Sequence, residues 1–173
     1  MARHTAGARA EGGPMTAGPT RGVAVSELHR MARLYADDGL AVLPLIPGGK
    51  TPACQHGHKD ASTDIATIDR WWSENPNYNI GAVPASIGCL VVDLDVKGGK
   101  DGIAEFDRLS IQHTGHPAPP TRTVRTPSGG LHLWFSGTVE KDGAAGALGP
   151  GIDIKCHGYV VMPPSFIVGT PTS

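Results

Sequence analysis

Two aspartates one residue apart close the apolar run Gly88-Cys89-Leu90-Val91-Val92-Asp93-Leu94-Asp95. The run has the composition of a buried strand, and side chains alternate along a strand, so Asp93 and Asp95 point to the same side. At a rise of about 3.3 Å per residue their Cα atoms lie roughly 6.6 Å apart. That span suits carboxylates gripping one or two divalent ions, because paired catalytic metals sit about 3.5–4 Å apart. Two adjacent carboxylates with nothing between them repel and resist desolvation, so a cation is their natural companion. A bare D-x-D pattern is nonetheless a weak signal, since solvated aspartates at a strand end give the same spacing.

Two later segments strengthen it. In Ser128-Gly129-Gly130-Leu131-His132-Leu133-Trp134-Phe135 a polar turn feeds an apolar run. Leu131, Leu133 and Phe135 share one face of that run, and His132 lies on the other beside Trp134. In Gly151-Ile152-Asp153-Ile154-Lys155, Asp153 and Lys155 share a face opposite Ile152 and Ile154. Three strand-like segments therefore each bury one face and present ionisable groups on the other, the pattern of a sheet with a chemical front and an apolar back.

The elements needed to hold these strands are legible along the chain. Residues 1–24, rich in Ala, Gly, Thr and Pro, read as a disordered tail, or as an over-extended start preceding Met15. From residue 25 a single catalytic domain is expected to run to the end. Ser26 caps a helix whose apolar face is Leu28, Met31, Ala32 and Tyr35, with Gly39 at its end. A strand over Leu40–Leu45 and a Pro47-Gly48-Gly49 turn follow. Asp64 or Thr63 caps a second helix that carries Ile65, Ile68, Trp71 and Trp72 and stops before Pro76. Adjacent helix residues point about 100° apart, so at least one tryptophan belongs to the core; Trp71 is the expected one, and Trp72 is left open. Strands are expected over Asn79–Val83 and through Asp93, then a helix from Asp101 to Leu109, a Pro-rich loop over 113–121, and strands near 122–126, 131–136, 152–155 and 159–162. The order predicts a mixed α/β (α+β) domain.

Composition sets outer limits. A chain of 173 residues, 39% of them hydrophobic, fits one domain with a real core. Its formal net charge of −1 advertises no global field for nucleic acid, although cations can be concentrated locally. Cys54, Cys89 and Cys156 form no even framework and no C-x-x-C pair, so free thiols in a reducing cytoplasm are expected. No stretch of eighteen or so apolar residues marks a membrane span, and the N-terminus lacks the apolar core of a signal peptide.

The order hhhD-h-D, S-G-G-x-H, h-D-h-K resembles motifs I, II and III of the archaeo-eukaryotic primase superfamily. The chain is most similar within it to the bifunctional DNA primase/polymerase N-terminal (prim-pol) domain. Leu43-Pro44-Leu45-Ile46-Pro47-Gly48-Gly49-Lys50-Thr51-Pro52, His58-Lys59-Asp60-Ala61-Ser62-Thr63-Asp64 followed by Trp71-Trp72, and Gly158-Tyr159-Val160-Val161-Met162-Pro163-Pro164-Ser165 resemble further stretches of that family. The resemblance covers about residues 26–169. It implies a small αβ unit packed on an RRM-like sheet with the active site in the cleft between them. It implies template-directed nucleotidyl transfer in DNA replication, with Asp93, Asp95 and Asp153 holding Mg²⁺ or Mn²⁺, ions that prefer hard oxygen donors. One such ion would activate the attacking 3′ hydroxyl and another clamp the triphosphate.

By the same resemblance His132 binds the incoming nucleotide's phosphates with help from Ser128, while Gly129 and Gly130 let the backbone approach an anion. Lys155 would neutralise a phosphate, with Arg122 and Arg125 weaker candidates for that work. Lys50 and Lys59 may line the cleft or be ordinary solvated lysines. Trp72, if not core, could stack on a base. The spacing Cys54, His56, His58 is not a common zinc pattern, so a polar loop is expected there rather than a zinc site. The implied partners are template and primer DNA, nucleoside triphosphates and a helicase in trans or in a fuller gene product, with no membrane. The implied setting is the cytoplasm of a prokaryote, plasmid or phage. The competing reading is a non-catalytic nucleic-acid-binding module or a vestigial fragment; a metal-dependent phosphoesterase is more remote. The segment Tyr159–Met162 is expected beside the Asp153 strand, and the chain is expected to be truncated at its C-terminus, with an uncovered sheet edge and marginal stability.

Overall fold

The computed structural model describes residues 25–143 and 146–168. The tail expected over 1–24 lies outside the described residues. Helix α1 spans Glu27–Asp37, and the Ser26 hydroxyl accepts from the His29 backbone N–H at 3.1 Å, satisfying one of the donors a helix start leaves free. Gly39 takes a positive φ of 84° just beyond the helix, which no side chain would favour. Strand β1 is Val42–Leu45, and Asp64 caps α2, Ile65–Glu74, through the Thr67 N–H. Strand β2, Asn79–Ala82, pairs antiparallel with β1. A 3₁₀ turn at Pro84–Ile87, which periodicity does not reveal, leads into β3, Cys89–Leu94. Asp101 caps α3, Gly102–Thr114, one turn longer than expected; Gly115, at φ 77°, ends it. Strands β4 (Arg122–Arg125), β5 (Leu131–Ser136), β6 (Ile152–Lys155) and β7 (Val160–Met162) complete the chain.

Two antiparallel sheets result, ordered β1-β2-β7 and β4-β5-β3-β6. Counting from β3, the second sheet has the order 2-3-1-4 with a helix after its first strand. That is an RRM-like arrangement in which the described part of 137–151 replaces the second helix with irregular chain. Its back is closed by α3: Ile103, Phe106 and Leu109 pack on Val92, Leu94, Leu133, Phe135 and Ile152. Part of its front is covered by the first unit, where Val91 and Trp134 join Tyr35, Ile68, Trp72, Val160 and Met162 in one core. The Arg122 guanidinium lies 6.0 Å from the Tyr35 ring centroid and 5.2 Å from that of Trp134, a cation–π bridge between the units.

Two expectations are corrected. Trp72, not Trp71, is the core tryptophan: it is 1% exposed and donates from Nε1 to the Tyr78 carbonyl at 3.0 Å, whereas Trp71 is only partly buried. The last strand forms, but it pairs with β2 and not with the strand carrying Asp153. The cause is local. The Asp142 carboxylate accepts from the backbone N–H groups of Cys156, His157 and Gly158 at 2.7, 2.7 and 2.9 Å. Those bonds turn the chain out of the second sheet, and the Cys156 carbonyl accepts from the Ala85 N–H at 2.9 Å. The chain thus leaves the four-stranded sheet beside the place where it entered, and β7 returns to the first unit.

Candidate active site

Strand register assembles the site. In the four-stranded sheet Asp93 on β3 lies directly opposite His132 on β5 and Asp153 on β6. The three residues form a row across adjacent strands on the sheet's front, where the first unit leaves it uncovered. Lys155 lies two positions along β6, opposite Val91. A cleft of about 410 Å³ opens over the Asp93–His132 part of this row, lined by Lys50, Asp93, Arg125, Thr126, His132, Lys155 and Tyr159, with β7 closing it from the first unit; Asp95 and Asp153 do not line it.

Each carboxylate is turned toward its own base. Asp93 Oδ1 is 3.5 Å from His132 Nε2, Asp95 Oδ1 is 3.2 Å from Lys97 Nζ, and Asp153 Oδ2 is 3.5 Å from Lys155 Nζ. Asp153 Oδ1 also accepts the Gly146 N–H at 2.8 Å. As the side chains stand, no three His, Cys, Asp or Glu residues among those described converge on one point. Burial pushes the Asp93 carboxyl above the usual carboxylate range; the His132 and Lys155 charges oppose the shift, and Asp95 and Asp153 add to it. Burial likewise pushes the His132 imidazole below its usual range, against Asp93 and with Lys50. His132 is 9% exposed, and its Nδ1 has no hydrogen-bond partner among the described residues. The site is therefore a partly desolvated acid–base pair with cations around its rim.

The remaining expected residues fall into three groups. Lys50, Arg125 and Lys155 line the cleft, while Lys59 and Ser128 do not. Lys59 lies in the 3₁₀ turn Gly57–Asp60, and Ser128 shares a hydrogen bond of 3.1 Å with Thr126. Gly129 and Gly130 belong to the hairpin between β4 and β5. Gly129 has φ 88°, and a Cβ on Gly130 would collide with the Leu94 carbonyl. The room these glycines make is taken by the protein's own backbone, next to Asp95. In the Cys54 loop the thiol contacts the Gly57 carbonyl at 3.3 Å, and His56 Nδ1 pairs with Asp60 at 2.9 Å. Sequence reasoning missed Tyr159 and Thr126 as cleft walls and Lys97 as the partner of Asp95. Only Lys97 carried a signal, two residues beyond Asp95 and on the same side.

The profile of the bifunctional DNA primase/polymerase N-terminal domain, Prim-Pol, matches residues 32–173. The chain belongs to the Prim-Pol family. The match spans both sheets and every residue of the site, and it implies a nucleotidyltransferase-type enzyme. No curated protein matches the chain. Prim-Pol domains are generally dependent on a divalent metal, and the donor set here suits one. Asp93 is a half-buried carboxylate for which no hydrogen bond is found among the described residues, flanked by two more carboxylates. Oxygen-only donors of that charge match Mg²⁺ or Mn²⁺. Among the described residues no helix is long and apolar enough to cross a membrane.

Proposed function

We propose that this Prim-Pol chain catalyses template-directed nucleotidyl transfer, adding nucleoside triphosphates to a strand paired with DNA. One observation carries the reading: Asp93, with His132 and Asp153 beside it in one cross-strand row, faces together with His132 into a cleft that Lys50, Arg125 and Lys155 also line. Carboxylates and phosphate-binding cations on one wall are the two halves that phosphoryl transfer needs.

Asp93, Asp95 and Asp153 would hold the divalent metal, which when bound would activate the attacking hydroxyl and neutralise the triphosphate. For that purpose Lys97 and Lys155 must release the carboxylates they pair with in the free protein, and Lys155 becomes available to phosphate oxygens. His132 would offer Nε2–H to a phosphate oxygen, and the anion in turn favours the protonated ring. Arg125 and Lys50 add positive charge to the cleft lining, available to strand and triphosphate phosphates. The apolar wall from β7, including Val160 and Met162, limits water at the row.

The test is incorporation of labelled dNTP or NTP by purified protein on a single-stranded template, with and without primer, in Mg²⁺ or Mn²⁺. Incorporation that needs the metal and disappears in Asp93→Asn and Asp153→Asn is the expected result. DNA binding without incorporation under any of these conditions would favour a non-catalytic nucleic-acid-binding module.

A further inference from the structure

The turn after β1 has its backbone held in an unusual way. Three successive carbonyls each accept from a donor in a different part of the chain. Val168 N–H donates to Gly48 O at 2.9 Å, Asn79 Nδ2 to Gly49 O at 3.0 Å, and Tyr159 Oη to Lys50 O at 2.9 Å. Asn79 is fully buried and is itself fixed, donating to Phe166 O at 2.6 Å and accepting from Phe166 N at 3.3 Å. The base of the turn is closed by Ile46 N–H to Thr51 O at 2.8 Å and Ala53 N–H to Pro44 O at 2.9 Å. Surface loops ordinarily give such carbonyls to water and stay mobile. Here the backbone is pinned while Lys50 is left exposed and lines the cleft that Asp93, His132 and Lys155 also line. A cation on a fixed backbone loses less freedom when it grips an anion, so its contact is stronger for the same charge.

We infer that Lys50 binds the triphosphate of the incoming nucleotide and that Tyr159 is its positioning residue, acting through the hydroxyl bond to the Lys50 carbonyl. The inference rests on the nucleotidyl-transfer reading and adds residue roles within the same cleft. The triphosphate is favoured over the template strand because Lys50 lines the same cleft as the Asp93–His132 pair. Lys59, only nine positions on in the chain, lies outside the cleft. Tyr159 touches the turn from a sequence distance of 109 residues, and its ring also walls the cleft, so Tyr159→Phe removes the one bond and keeps the wall.

The experiment is a double-mutant cycle over wild type, Lys50→Gln, Tyr159→Phe and the double variant. Triphosphate affinity is measured with a fluorescent nucleotide and Mg²⁺ under non-turnover conditions, alongside single-stranded DNA affinity and melting temperature. Lys50→Gln raises the nucleotide Kd roughly tenfold, and Tyr159→Phe raises it about three- to tenfold. In the Lys50→Gln background Tyr159→Phe adds no further loss, because its effect passes through the lysine. DNA affinity changes by less than about twofold in either single variant, a smaller effect than losing one phosphate contact would cause. Additive losses in the cycle, an unchanged nucleotide Kd in Tyr159→Phe, or equal losses of DNA and nucleotide affinity would each overturn the inference while leaving nucleotidyl transfer intact. A wild-type protein that binds DNA but no triphosphate would overturn the enzymatic reading, and the inference with it.

Discussion

Asp93 occupies a costly position for a carboxylate. It is a carboxylate taken partly out of water, with like charges at Asp95 and Asp153 and with His132 at 3.5 Å as its nearest ion-pairing partner. Nothing about folding calls for such a group, and burying an unpaired charge costs free energy that an amide of the same shape avoids. Asp93→Asn is therefore expected to leave the melting temperature in metal-free buffer unchanged or raised. Incorporation should fall by more than the roughly 10- to 100-fold lost when a mere partner of a metal ligand is removed. Scanning calorimetry beside the incorporation assay checks both halves, and a destabilised variant would mean that the carboxylate serves the fold. His132→Ala belongs to the same scale. On the proposed reading this largely buried imidazole binds phosphate, so triphosphate affinity should drop by roughly tenfold or more, the cost of a hydrogen bond to a charged group. Template affinity should barely change. Equal loss of both would make His132 a structural histidine.

At the scale of elements, the hairpins and loops decide whether the row exists. Gly130 lies against the Leu94 carbonyl with no room for a methyl group, so Gly130→Ala must push β5 from β3 at the point where His132 meets Asp93. A fall of several degrees in melting temperature together with lost incorporation is the expected outcome, measured by thermal unfolding; an unperturbed variant would show that the hairpin gives way easily. Asp142 is the second case. Burial alone would raise its pKa, but the three N–H groups of Cys156, His157 and Gly158, with the His157 charge, hold it below the usual carboxylate range. A depressed folded-state pKa contributes stability that is present above the unfolded value, near 3.9, and is lost as pH falls through the folded value. Denaturant unfolding from pH 5 to 2 should therefore decline more steeply for wild type than for Asp142→Asn, and parallel curves would remove Asp142 from this role. Asp142→Ala should cost about 1–3 kcal/mol at neutral pH, since it orphans several backbone donors at once.

These elements also show what a sequence can and cannot disclose. Ser26, Asp64 and Asp101 announced their helices because capping is local chemistry, and the alternation around Asp93, His132 and Asp153 placed all three on one face because a strand's period is local too. The partner of β7 was misjudged because its pairing is decided by Asp142, a residue fourteen or more positions upstream of the donors it captures. Trp72, left open by the sequence, is the more deeply buried of the pair and Trp71 only packs against the core, because the helix face is set by where β2 and α1 lie, which periodicity over ten residues leaves open by one position. Tyr159 as a wall of the cleft depends on the crossing between sheets, and no spacing encodes it.

For the molecule as a whole, a formal net charge of −1 makes association with DNA a matter of local placement. If Arg125 and Lys155 each neutralise one phosphate of the strand, the log–log dependence of single-strand affinity on salt should have a slope of about −1.4, at roughly 0.7 per contact. Titrations between low and physiological salt measure it, and a flat response would exclude the cleft as a nucleic-acid surface. A different consequence follows from the two crossings that meet at Ala85 and Cys156. The three-stranded sheet is discontinuous in the chain, with β1 and β2 before the four-stranded sheet and β7 after it. The RRM-like portion is thus an insert whose two ends emerge side by side. A gene segment encoding it could be exchanged between relatives as one cassette with its carboxylate row intact, whereas the unit that shields Val91 and Trp134 has no contiguous coding segment to trade. Shuffled genes of this architecture would inherit their carboxylates in one piece, and the lysine opposite them only from the host.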